Sequence, residues 1–251
     1  MDVQVRHTPS FAVVRCTMAG GEAVRAEAGA MMATSDGVAV EAKMQGGLMK
    51  SLKRSMLGGE SLFITTYTAP PQGGWVDCAA NLPGDAAVRS VGAGRSLNMS
   101  RGSFLVAESG VEINTQWGGF QNLVGGEGGF LVHASGEGEV VAACYGALDT
   151  ITLGPGEKVV VDSGHMVAYD DTITMSTRRV AGTMTSLKSG EGLVFEFTGP
   201  GEVLTQTRNP SALINGSRPS CRSRGNRLKN ARAPADEWAS TPHQGRRWPV
   251  L

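Results

Sequence analysis

One short pattern is written three times along the chain, and it limits the possible folds more than any other feature. Leu57-Gly58-Gly59-Glu60-Ser61-Leu62-Phe63 returns as Val124-Gly125-Gly126-Glu127-Gly128-Gly129-Phe130. It returns more loosely as Lys188-Ser189-Gly190-Glu191-Gly192-Leu193-Val194-Phe195. The three glutamates lie 67 and 64 residues apart. A second element precedes each copy. Residues 28–33 lead to Ser35-Asp36-Gly37, 101–106 to Glu108-Ser109-Gly110, and 155–160 to Asp162-Ser163-Gly164. A third follows, at 74–79, 138–143 and 201–206. Nine pieces in one order indicate an internal repeat, with copies at about 22–80, 95–146 and 147–208. The first copy has an extra leader at 10–17, and residues 147–153 match it at the head of the third.

Each piece reads as a short strand bounded by glycine. Residues 38–41, 111–114 and 172–176 show partial alternation of apolar and polar side chains. Asp36-Gly37 and Ser163-Gly164 read as hairpin turns, since glycine supplies the positive φ of a tight turn. Glycine is 35 of 251 residues, roughly twice ordinary usage, and this turn inventory accounts for it. The expected fold is all-β, a barrel-like sandwich of three internal repeats in a pseudo-threefold arrangement whose units cover one another's sheet edges. The symmetry is completed either within one chain or by a homo-oligomer.

Residues 43–57 are the one helix candidate. Met44, Leu48, Met49, Leu52 and Met56 recur at helical spacing, with Lys43, Lys50, Lys53 and Arg54 between them. Gly46-Gly47 restricts the helix to 48–57. As a connector it would cap one end of the barrel. As a basic amphipathic patch it would offer Met49, Lys50, Lys53 and Arg54 to a partner or a membrane surface. The matching connector, Trp117-Gly118-Gly119-Phe120-Gln121-Asn122-Leu123, is uncharged, and Trp117 and Phe120 extend the candidate interaction surface there.

The zero net charge is a sum of two unlike segments. Residues 1–207 hold 14 basic and 21 acidic side chains, a net −7. Residues 208–251 hold 9 and 2, a net +7. The body is thus a single domain over 1–210, too acidic for nucleic acid to be its main partner. Residues 211–251 read as a basic, disordered tail that binds nucleic acid non-specifically at most. No apolar run approaches the ~18 residues of a membrane span, and residues 1–9 are not a secretory leader. Cys16, Cys78, Cys144 and Cys221 form no CxxC pair, and the first three lie in apolar runs. They read as small hydrophobes in a reduced, cytoplasmic protein.

No catalytic constellation stands out. A metal site needs convergent ligands, and His7, His133, His165 and His243 are scattered, so neither metal nor cofactor is expected. Glu60, Glu127 and Glu191 would form a carboxylate ring under threefold symmetry, able to hold a cation. The plainer reading is a solvated glutamate after each Gly-Gly turn.

Several ordered motifs resemble a known family. Pro9-Ser10-Phe11-Ala12-Val13-Val14, then Gly21-Glu22 through Gly29-Ala30-Met31-Met32, Gly46-Gly47-Leu48, Leu57-Gly58-Gly59-Glu60-Ser61, Gly125-Gly126-Glu127-Gly128 and Thr207-Arg208-Asn209 look like the altered inheritance of mitochondria protein 24 family. The resemblance covers about residues 3–213. It implies a double-stranded β-helix resembling the tryptophan RNA-binding attenuation protein, with three repeats. It also implies a role like that of the mitochondrial relatives, in inner-membrane organisation and respiratory-complex assembly, with bacterial members in the cytoplasm. It supplies no catalytic residues. The expected function is a non-catalytic scaffold or assembly protein with protein partners. The alternatives are a small-ligand or RNA-binding module, and a cupin-like enzyme.

Overall fold

The computed structural model describes residues 1–44, 63–120, 129–178 and 194–217. Most of them are strand, and helix is confined to two 3-10 turns and one C-terminal segment. A leader, β1 (Asp2–Arg6), precedes three groups of six. The first group is β2 (Val13–Met18), β3 (Ala23–Glu27), β4 (Met31–Thr34), β5 (Ala39–Met44), β6 (Phe63–Thr68) and β7 (Gly74–Ala79). The second is β8 (Ala86–Val91), β9 (Leu97–Ser100), β10 (Phe104–Glu108), β11 (Val111–Phe120), β12 (Gly129–Gly136) and β13 (Gly138–Ala143). The third is β14 (Leu148–Leu153), β15 (Lys158–Asp162), β16 (Met166–Asp170), β17 (Thr174–Arg178), β18 (Val194–Thr198) and β19 (Gly201–Gln206). Helix α1 (Pro210–Ser217) follows.

Every group obeys one antiparallel pairing rule. The sixth strand lies between the first and third, giving β2-β7-β4, β8-β13-β10 and β14-β19-β16. The fifth lies between the fourth and second, giving β5-β6-β3, β11-β12-β9 and β17-β18-β15. Groups are joined by pairing the second strand of one with the third of the next, β3 with β10 and β9 with β16. Two six-stranded sheets result, flanked by β1-β2-β7-β4 at one end and β15-β18-β17 at the other.

The third strands share a local device. Against the sixth strand, each has a register shift, between Met31 and Ala33, Phe104 and Val106, and Met166 and Ala168. Such a bulge re-aims the residues around it. At the end of each strand, or one residue past it, a polar side chain accepts a hydrogen bond from the sixth strand. Trp75 N donates to Ser35 Oγ at 2.9 Å, Glu139 N to Glu108 Oε2 at 2.9 Å, and Glu202 N to Asp170 Oδ2 at 2.8 Å. These bonds make Ser35, Glu108 and Asp170 counterparts.

The pairing moves several expectations. The third counterpart of residues 28–37 and 101–110 is the stretch at β16, not residues 155–164, which form β15. The leader at 10–17 has counterparts in both later groups, at β8 and β14. Asp36-Gly37 and Ser163-Gly164 are not hairpins. Gly37, at φ 80°, carries the chain from β4 to β5 in a different sheet. Ser163–His165 is a 3-10 turn between β15 and β16, again in different sheets. Trp117 and Phe120 end the strand β11 rather than lying in a connector. The tail expected from residue 211 is helical through Ser217.

Alternation along each strand builds the core. In β2, Val14, Cys16 and Met18 point inward, and in β3, Val24 and Ala26 do. Three apolar clusters follow the chain. One centres on β2, β3 and β7, one on Leu97, Met99, Phe104 and Ile113, and one on Tyr169, Phe195 and Phe197. Gly84 shows how closely the backbones meet, since a Cβ there would run into the Cys144 carbonyl oxygen.

Candidate functional site

The residues singled out in the sequence fall mostly in the β5–β6, β11–β12 and β17–β18 connections. Met49, Lys50, Lys53, Arg54 and Glu60 lie outside the described residues, as do Glu127 and Glu191. The expected helix at 48–57 and the carboxylate ring lie there with them. Trp117 and Phe120 are placed on β11, with Trp117 opposite Phe130 on β12. Cys16, Cys78 and Cys144 are buried free thiols. Burial pushes Cys16 and Cys78 up to about 12 and Cys144 up to about 11, which leaves little thiolate for chemistry at neutral pH.

The strongest charge cluster was not legible in the sequence. Asp77 on β7 is 2% exposed. Its Oδ1 accepts from Arg15 Nε and its Oδ2 from Arg15 Nη2 and Arg6 Nη2, all at 2.8 Å. The Arg15 hydrogen bonds hold the Asp77 carboxyl below the usual carboxylate range. Arg15 also lies over Trp75, its guanidinium carbon 4.0 Å from the ring centre. Both carboxylate oxygens are engaged, so the cluster works as a clamp between β1, β2 and β7. The counterparts of Asp77 in register are Val141 and Leu204, in groups that have no leader strand to hold.

Other polar chemistry is spread out. His133 is half-buried within β12. His165 Nδ1 is 2.7 Å from the Gln206 carbonyl oxygen, while the Gln206 side chain bonds Tyr145 N and the Gly164 carbonyl. Among the described residues, no three His, Cys, Asp or Glu side chains are grouped to hold a metal ion. A cleft of about 220 Å³ lies beneath Phe11, lined by Leu82, Pro83, Leu105 and Ala143. Ligand pockets run ~300–1,000 Å³, so this one suits a small group at most.

The surface stands out at two sheet edges. β4 pairs only with β7 and β15 only with β18, so each has one open side among the described residues. Met31 and Met32 on β4 are 45% and 57% exposed, and Val160 on β15 is 45% exposed. These are three of the seven exposed large hydrophobics among the described residues. Apolar side chains on an open strand are what sheet edges ordinarily avoid, which makes these two edges candidates for an interaction surface. No single-residue motif announces these edges. They appear only once the strands are paired.

Known proteins share this frame. The family model described as Mitochondrial biogenesis AIM24 matches residues 3–208. An uncharacterised protein of Streptococcus pyogenes serotype M6 is 28% identical over 217 residues, covering 83% of this chain and 86% of its own. The X-ray structure of a Streptococcus pyogenes protein superposes with a TM-score of 0.73 at 26% identity. That match covers 86% of this chain and 97% of the other.

Proposed function

Since the chain belongs to the mitochondrial biogenesis AIM24 family, we propose that it is a non-catalytic scaffold or assembly protein, acting through protein contacts rather than turnover. The observation that carries this reading is the pair of open edges bearing Met31, Met32 and Val160, on a frame of many paired strands. Open strands offer main-chain hydrogen bonds to a partner, and their exposed side chains add specificity. A similar protein occurs in Streptococcus pyogenes, so the proposed role is framed without a mitochondrial partner. A cytoplasmic setting goes with this reading, since the three described cysteines are free thiols packed in the core.

A small-ligand or RNA-binding role has less behind it. The cleft under Phe11 is small, and the acidic body repels a polyanion. A cupin-like enzyme has least, because His165 is tied to Gln206. Cross-linking capture of the full chain from its own cells tests the proposal. A defined partner protein at fixed stoichiometry, lost with Met32→Asp, is expected. Turnover of a chemically defined substrate by the purified protein overturns it.

A further inference from the structure

We propose that copies of this chain join head to tail, the open side of β15 in one copy pairing antiparallel with the open side of β4 in the next. The contact goes beyond the search for a foreign partner, because the occupant is written into the chain itself. A second strand meets the third strand of the following group twice within the molecule. β3 meets β10 with Ala26 opposite Val106, Arg25 opposite Ala107 and Val24 opposite Glu108. β9 meets β16 with Met99 opposite Ala168, Asn98 opposite Tyr169 and Leu97 opposite Asp170. β15 is the second strand of the last group and β4 the third strand of the first, so these two are the halves of the same joint left over.

The register transfers residue by residue. The shared bulges make Ala33, Val106 and Ala168 counterparts, with Ser35, Glu108 and Asp170 two residues on. Pairing with the fifth strands makes Val161 the counterpart of Ala26 and Met99, and Val159 that of Val24 and Leu97. The new joint therefore sets Ala33 opposite Val161, Thr34 opposite Val160 and Ser35 opposite Val159. One step further it sets Asp36 opposite Lys158, a favourable pair of charges.

Burial supports the assignment. The counterparts of Met31 and Met32 in the two joints already made are Phe104 with Leu105 and Met166 with Val167, all at most 3% exposed. At the first joint, Arg25 also donates across to the carbonyls of Ser109 and Val111. Its counterpart Val160 has no such reach and stands open. The remaining sheet-edge strands carry the charges that protect an edge. These are Asp2 on β1, Glu41 on β5, Arg89 on β8, Glu112 on β11, Asp149 on β14 and Arg178 on β17. β4 reads Met-Met-Ala-Thr without a charge or proline, while β15 reads Lys-Val-Val-Val-Asp, with three apolar residues between its two terminal charges.

The test uses the purified full chain alone. Its mass, measured across a wide concentration range, is expected to rise in whole-chain steps. Val160→Asp, at a position open in the single chain, is expected to weaken association at least tenfold and leave the circular dichroism spectrum unchanged. In a Cys221→Ser background, Thr34→Cys/Val160→Cys is expected to give a ladder of covalent oligomers on mild oxidation. A mixture of the two single variants should stop at dimers. A cross-link formed only within one chain overturns the proposal. So does efficient self-cross-linking of either single variant, or a monomer mass at every concentration without cross-links.

Discussion

Asp77 shows what a single residue contributes here. It joins three strands through two arginines whose side chains are each 31% exposed. Asp77→Asn leaves those guanidinium groups without their anion, though water reaches them. The expected loss is about 1–3 kcal/mol in urea unfolding at pH 7. The pH dependence has a definite sign. The folded carboxyl sits below its unfolded value of about 3.9, so its contribution is complete above that value and is lost as pH falls through the folded one. The difference between wild type and Asp77→Asn should therefore shrink between about pH 4 and more acid solution, and stay constant from pH 5 to 7. Nothing in the sequence announces this cluster, because Asp77 stands 62 and 71 residues from its two arginines. The buried cysteines were legible, since each sits among apolar neighbours at strand spacing.

Among the elements, the third strands are the most informative, because one position can be compared in three settings. Phe104 and Met31 are counterparts, one sealed at 1% exposure and the other open at 45%. Phe104→Ala should cost about 3–5 kcal/mol of stability, while Met31→Ala should stay within about 0.5 kcal/mol in dilute solution. Equal losses by thermal unfolding would mean that Met31 is already packed. Strand positions and glycine turns were visible from alternation and composition. Which sheet a strand joins was not. Asp36-Gly37 has the residues of a hairpin turn, but that chemistry specifies a bend and not the neighbour of the strand it leads to. Gly118-Gly119 has no side chains to alternate, so the end of β11 read as a connector. The register shift between Trp117 and Phe120 falls on that glycine pair.

At the scale of the whole molecule, the all-β class follows from glycine-bounded apolar runs, and the charge split marks where the core stops. Buried side chains among the described residues extend to Gln206 and the family match to residue 208. Ending the chain after Ser217 removes 8 basic and 2 acidic residues and leaves a net −6. The shortened chain should keep its β-type circular dichroism and melting midpoint and bind an anion exchanger. Loss of cooperative melting would show that the tail belongs to the fold. The candidate interaction surface was the least legible part, since open edges are a property of pairing and not of any segment. The two open edges are also unlike each other, and that difference has a genetic consequence. A copy spoiled at β15 still adds through its intact β4 and then accepts nothing further. A minority of Val160→Asp chains in a cell that also makes the normal protein would cap growing assemblies, so such a mutation would behave as dominant.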